Sequence, residues 1–336
     1  MKSGANKFST PRTESGAALL TVLLLVAVMS VIAATALDRL QISTRLAANG
    51  AAMAQARYYT YAAELIATQR IEDLLARDVA QTTLAGGWLN REIPVPIDNG
   101  LAFARLTDAD NCFNLNSLVI EISGSGGKSF SANRTAIEQF TQLMVFLNVD
   151  KNEGAAIAQA AADWIDTDLD SLPAGGEDAY YRGLATPYLP PNRLMADRSE
   201  LRAVKGMKPE IYNQVKDWVC ALPQAKPTAL NVNTLSPDQA PLLAMLFEGK
   251  LSPREAKAYL ASKPLGGYGS AVRFFGVPLL AQKNVPEAVK QQVQLKSMWF
   301  ELNIRILSEG IELESNALID ASAAPARVIS RSWGES

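Results

Sequence analysis

The chain contains no histidine in 336 residues. That removes the general base of a Ser/His/Asp or Cys/His triad and makes a catalytic zinc site improbable. Only two cysteines are present, Cys112 and Cys220. In an exported chain two cysteines read first as one disulfide closing a loop of roughly a hundred residues, with two buried thiols as the alternative. Positive charge is not in excess. Lys plus Arg is 32 against 34 for Asp plus Glu, and a short leader holding Lys2, Lys7, Arg12 and Glu14 carries +2 of the overall −2. The remainder sums to −4, which argues against a protein built to grip a phosphate backbone. Proline is missing between Pro11 and Pro94, so nothing in that stretch forces a helix to stop.

Into this proline-free stretch falls the most informative segment. Gly16 closes the basic leader. Ala17 to Leu37 then run for 21 residues without a charge, with only Thr21, Ser30 and Thr35 as polar side chains. As a helix the run is about 32 Å long, enough to cross a bilayer core. It is too long for the apolar core of about 7 to 15 residues of an ordinary signal peptide, so no small-x-small cleavage site lies beyond a short apolar core. The helical pattern continues to about residue 82. Tyr58, Tyr61 and Leu65, then Ile71, Leu74 and Leu75, stand at 3/4 spacing and predict a face packed on something downstream. Two readings are open for the N-terminus. One is a single-pass anchor with its basic end in the cytoplasm. The other is a leader cut after Gly16, making Ala17 the new N-terminus.

Beyond the helix, Gly86-Gly87 break the pattern. REIPVPI and LAFARLTDAD flank Asp98-Asn99-Gly100, a hairpin signal. From Ile137 to about Leu222 the pattern is helical. A second helical block follows a QAKPTA linker, with Ser236-Pro237 and Ser252-Pro253 as N-cap and N1-proline starts. SMWFELNIRILSEGIELESNALID then gives two alternating runs about Ser308-Glu309-Gly310, and ARVISRSW adds a possible third strand. Strand, helical block, strand predicts a helical region inserted within one sheet.

The leader, the Gly16/Ala17 junction and the apolar helix resemble those of type IV pilins and the pseudopilins of type II secretion. Such chains usually carry glutamate five residues after the cut; here the position is Thr21. A carboxylate in lipid is costly without a partner. In pilin-like fibres that partner is the N-terminal amine of the subunit ahead. A subunit with nothing ahead loses nothing by lacking the acid. The large K-type minor pseudopilin of type II secretion shows this departure, and its split sheet and two-part helical insert resemble nearly the whole chain.

The resemblance implies an α+β fold: a pilin-like long helix on a small antiparallel sheet, with a large two-part all-α domain inserted. Its segments are a leader (1–16), a transmembrane helix (17–37), the soluble half of the helix (38–82), a split sheet (83–111 with 296–333) and two parts of the insert (112–224 and 225–295). It implies a non-enzymatic tip subunit, anchored once in the inner membrane with its C-terminal domain in the periplasm. The implied partners are prepilin peptidase, which also methylates the new N-terminus, the major pseudopilin, the I- and J-type minor pseudopilins, and secreted cargo or the secretin. No nucleic acid is expected. The runner-up is a minor pilin of a type IV pilus or a DNA-uptake system, and a third reading is an anchored periplasmic enzyme.

Three motifs bear on chemistry. In DWIDTDLDSLPAGGEDAYYRG, Asp166, Asp168 and Asp170 fall at positions 1, 3 and 5 of a loop and Glu177 at position 12, the oxygen spacing of a calcium loop. Asp178 makes a fifth carboxylate, and Asn192 or Asp197 are candidates to complete a shell. Position 6 is Ser171 rather than glycine, so the loop is not a regular EF-hand, and a solvated acidic loop capping a helix is the alternative. The resemblance adds weight, because K-type pseudopilins bind calcium near such a motif. SGSGGKS at 123–129 lacks the leading glycine of a phosphate loop, having Ile122 there, and reads as a flexible linker. SELRAVKGMKPEIYNQV and LNVNTLSPDQAPLLAML look like helix-hairpin-helix and DNA-uptake units. Gly206 is followed by Met207 and Lys208 without the second glycine, so both read as protein scaffold.

Overall fold

The structure, a computed structural model, describes residues 14–124, 127–308 and 310–334. The basic leader residues Lys2, Lys7 and Arg12 lie outside them.

One helix, α1, runs from Glu14 to Arg77, 64 residues and about 96 Å. It is the one helix among the described residues long and apolar enough to cross a membrane. It ends at Arg77 rather than near residue 82, where the Asp78 carboxylate accepts the Ala80 N–H at 2.9 Å and turns the chain.

The soluble half of α1 lies on a five-stranded antiparallel sheet. Its strands are β1 (Glu92–Ile97), β2 (Gly100–Asp108), β3 (Trp299–Ser308), β4 (Ile311–Asp320) and β5 (Arg327–Trp333), in spatial order β1-β2-β3-β4-β5. The Asp98-Asn99-Gly100 hairpin forms as expected, with Asn99 at φ +57°. Gly100 has to be glycine, because a Cβ there would lie 2.2 Å from the Leu307 carbonyl oxygen across the β2–β3 pairing. Glu309, between β3 and β4 in the sequence, lies outside the described residues. In β3 Phe300, Leu302, Ile304 and Ile306 are buried and Glu301, Asn303 and Arg305 face the other way.

The face of α1 that meets the sheet is the expected one at Ile71, Leu74 and Leu75, and differs from it nearer the membrane half of the helix. Tyr58 and Leu65 are exposed, and Tyr61 is 44% exposed. The buried stripe is Ala56, Thr60, Glu64 and Ile71, with Ala63, Ala67, Leu74 and Leu75 half-buried beside it. Small side chains let the helix settle close on the sheet. Glu64 is tolerated there because Arg331 of β5 grips it with two hydrogen bonds. Tyr61 instead flanks the contact, edge-on to Trp333 and under the Arg331 guanidinium.

Between β2 and β3 the chain leaves the sheet and builds a mostly helical unit with its own core. Helices α2 (Arg134–Phe146) and α3 (Lys151–Asp163) pack across Phe113, Phe140, Leu143, Met144 and Ile157, all buried. A short helix α4 (Asp178–Arg182) and then α5 (Pro209–Val215) follow, with α6 (Ala240–Met245) and α7 (Pro253–Ala261) after the linker. The segment read as a flexible linker around 123–129 lies in a hairpin instead. Val119–Gly124 pairs with Gly127–Ala132, because Val119, Ile120, Phe130 and Ala132 supply the strand residues its glycines lack. Residues 125 and 126 lie outside the described chain. SELRAVKG contributes to a two-turn 3-10 helix, Arg198–Ala203, capped by Asp197 and Glu200 in a reciprocal box.

Candidate functional site

The last turn of α3 and the first of α4 bring three carboxylates together. Oxygens of Asp163, Asp166 and Glu177 all lie within 4.8 Å of one another, and all three residues are buried. At an effective dielectric constant of 20, two unit charges at that distance repel by about 3 kcal/mol. The three cannot stay ionised together without compensation. Asp163 is the anchored member: it accepts hydrogen bonds from the Leu172 N–H and from Ser171 Oγ at 3.1 Å. That is what Ser171 does where a regular EF-hand has glycine. Gly175 closes over it, since a Cβ there would lie 1.9 Å from Asp163 Oδ2.

The other two are not anchored. Asp166 Oδ1 and both Glu177 carboxylate oxygens are buried with no hydrogen-bond partner among the described residues. Burial, then the charges of Asp168, Asp163 and Glu177, pushes the Asp166 carboxyl up to about 8. Burial, then Asp163, Asp168 and Asp178, pushes Glu177 up to about 7. Asp163 is also raised, chiefly by burial. Lys205 is the nearby cation, and its ammonium is committed to the Gly175 carbonyl and lies over the Tyr180 ring.

Asp166 and Glu177 are thus two of the five carboxylates read from the sequence that the fold brings into one buried cluster. Asp168 is exposed, accepts the Asp170 N–H at 2.9 Å, and acts on the cluster through its charge. Asp170 is exposed, and Asp178 pairs with Arg182 at 2.7 Å. Asn192 Oδ1 is buried and unpartnered, whereas Asp197 caps the 3-10 turn. Asp163 was not among the residues read from sequence. Its signal is its position three before Asp166, one helical turn earlier. Buried hard oxygens without donors suit a hard cation, and a set of several carboxylates suits calcium better than magnesium, which takes one or two and a rigid octahedron.

At the other end of the chain, Gly16, Ala17 and Thr21 lie on exposed helix. Thr21 Oγ1 donates to the Ala18 carbonyl at 2.8 Å, so its polar group is satisfied within the helix and asks for no partner in lipid. Cys112 and Cys220 form a disulfide across 108 residues, tying the start of the insert to the end of its first half.

The insert joins the sheet through a buried polar network built by the LNVNT segment. Asn231 Nδ2 donates to the Thr82 carbonyl at 3.1 Å and to Ser297 Oγ at 2.8 Å, and its Oδ1 accepts the Asn233 N–H at 3.0 Å. Asp108 Oδ2 accepts from Thr234 and from Ser297, each at 2.5 Å. Asp110 Oδ2 accepts the Met298 and Trp299 N–H groups. Burial raises both aspartates, Asp110 the more because Asp108 lies beside it. Three strands of chain, one after α1, one leaving β2 and one entering β3, are fastened at this point.

Two family models described as type II secretion system protein K match the chain, over residues 111–224 and 230–296. Type II secretion system protein K of Aeromonas hydrophila is 36% identical over 259 residues, 76% of this chain and 78% of that protein. The protein of that description from Klebsiella pneumoniae is 30% identical over 321 residues, 96% and 97% of the two chains. Among solved structures, a chain in the GspK-GspI-GspJ complex of the enterotoxigenic Escherichia coli type 2 secretion system superposes with a TM-score of 0.72. It is 30% identical, and the match covers 84% of this chain and 96% of that one.

Proposed function

This chain belongs to the type II secretion system protein K family, and from that premise we propose that it is the non-enzymatic minor pseudopilin at the tip of the secretion fibre. There it helps initiate fibre assembly and so protein export across the outer membrane. It is processed after Gly16 by prepilin peptidase, which methylates Ala17, and it is held once in the inner membrane with the sheet and insert in the periplasm. The observation that carries the tip position is Thr21. A glutamate there would be costly in lipid unless the amine of a subunit ahead neutralised it. Threonine bonded to Ala18 has no such need. The insert fits the same position, because some 190 residues between β2 and β3 add bulk beside the helix that subunits stacked along a fibre would have to clear.

The complex named in the solved relative gives the expected company: I- and J-type minor pseudopilins. The test is copurification of the full chain in detergent with those two proteins from the same organism. A 1:1:1 complex is expected; an I–J pair that forms normally and leaves this chain behind would contradict the reading.

The acid cluster is proposed to hold a structural calcium ion. Asp163, Asp166 and Glu177 would hold it directly, with Asp168 beside them, and Asp170 and Asp178 left outside. A bound cation would supply the charge the three buried carboxylates lack. It would tie the end of α3 to the start of α4.

A further inference from the structure

We propose that the cleft between α5 and β5 is a docking site for an extended, acid-rich segment of a partner protein. The cleft holds about 660 Å³. One wall is the 3-10 turn Arg198–Ala203 with the start of α5; the other is the end of β5, Ser332 to Gly334. Arg198, Arg202, Lys208 and Lys216 line it against one acid, Asp197, in a chain whose net charge is −2. Asp197 is occupied as the cap of Ser199, and Lys208 is paired with Glu153 at 2.6 Å. Among the described residues no ion pair engages Arg202 or Lys216. The Arg202 guanidinium lies 5.7 Å over the Tyr212 ring, and Trp333 is 40% exposed at the opposite wall. Two uncommitted cations between two aromatic rings complement carboxylates on a chain that also carries apolar side chains.

The second observation is the sheet edge. β5 has a neighbour on one side only. The Gly334 N–H donates inward to the Glu314 carbonyl at 3.0 Å. Alternation along an antiparallel ladder then turns the backbone groups of Trp333 and Arg331 outward, toward the open side. An extended peptide can pair there while its carboxylates meet the cleft. A phosphodiester strand has no backbone to add to a sheet. Anionic lipid is out of reach: Trp333 lies 5.5 Å from Arg57, which is about 30 Å along the helix beyond Leu37, several Debye lengths from the headgroups.

The probe is a fluorescein-labelled decapeptide of alternating Glu and Thr, titrated into the full chain in detergent and read by anisotropy. Its Gln–Thr counterpart and a dT decamer serve as competitors. The Glu–Thr peptide is expected to bind at least about tenfold more tightly than the Gln–Thr peptide. Arg202→Glu with Lys216→Glu should weaken it at least about tenfold, and Arg254→Glu, exposed elsewhere on the insert, should leave it unchanged. Arg202→Gln alone should give a partial loss and guards against misfolding of the double variant. Amide exchange at Arg331 and Trp333 should slow with the peptide bound. Equal binding of the neutral peptide, indifference to the variants, unchanged exchange at those two amides, or full displacement by the dT decamer would each overturn the proposal.

Discussion

Replacing Asn231 by alanine should loosen the joint between sheet and insert. The side chain is fully buried and makes three hydrogen bonds, to Thr82, Ser297 and Asn233. Alanine leaves the Thr82 carbonyl and the Asn233 N–H without those partners, whereas Ser297 Oγ keeps Asp108. At about 1–3 kcal/mol for each orphaned buried group, with a small cavity added, the loss should be about 3–6 kcal/mol. Asn231→Asp should be at least as damaging, because its charge would sit in the network that already buries Asp108. Urea unfolding of the detergent-solubilised chain, followed by tryptophan fluorescence, reads the midpoint. Amide exchange localises the effect: Ser297 and Asn233 should exchange faster while the α2–α3 core holds its protection. A stability loss below about 1 kcal/mol, or exchange that rises uniformly, would refute the reasoning, because a buried network of this kind has no cheap way to lose its central member.

Calorimetric titration with calcium should show one class of site that Asp166→Asn and Glu177→Gln abolish, whereas Asp178→Asn, which breaks only the Arg182 pair, leaves it. Calcium affinity should rise with pH, because two protons must leave. With carboxyl values of about 8 and 7, the apparent dissociation constant should fall about fiftyfold from pH 6 to 7 and about tenfold from pH 7 to 8; a flat profile would contradict the assignment. The metal-free fold has the opposite dependence. Both carboxyls titrate above their unfolded values, so metal-free stability is highest when they are protonated and falls as pH rises from about 4 through about 8, which a denaturation series in chelator would show. Cys220→Ser should lower stability by about 4–5 kcal/mol on the loop-entropy account of a 108-residue link. Thermal unfolding of the variant beside the reduced parent checks it, since the two should coincide.

What could be read in the sequence was what local pattern encodes. The uncharged run from Ala17, the Asp98-Asn99-Gly100 hairpin, the alternation of β3 and the serine-proline helix starts each carry their own signal over a few residues. What could not be read depends on partners far along the chain. Glu64 belongs on the buried face of α1 only because Arg331 arrives from 267 positions away. Without that knowledge Tyr58 and Leu65 looked like the packed face. LNVNT resembled a DNA-uptake repeat, yet its Asn231 bonds to Thr82 and Ser297, 149 and 66 positions distant. The acidic loop was visible as a loop, but only the fold shows that Asp163 joins it while Asp178 turns to Arg182.

The claim on which the account rests most heavily is position in the fibre, and counting tests it most directly. Quantitative mass spectrometry of isolated pseudopili, with peptides from this chain and from the major pseudopilin, should give about one copy of this chain per fibre whatever the fibre length, its mature N-terminus at Ala17. A copy number that grows in proportion to fibre length would place the chain along the shaft and contradict the reading of Thr21.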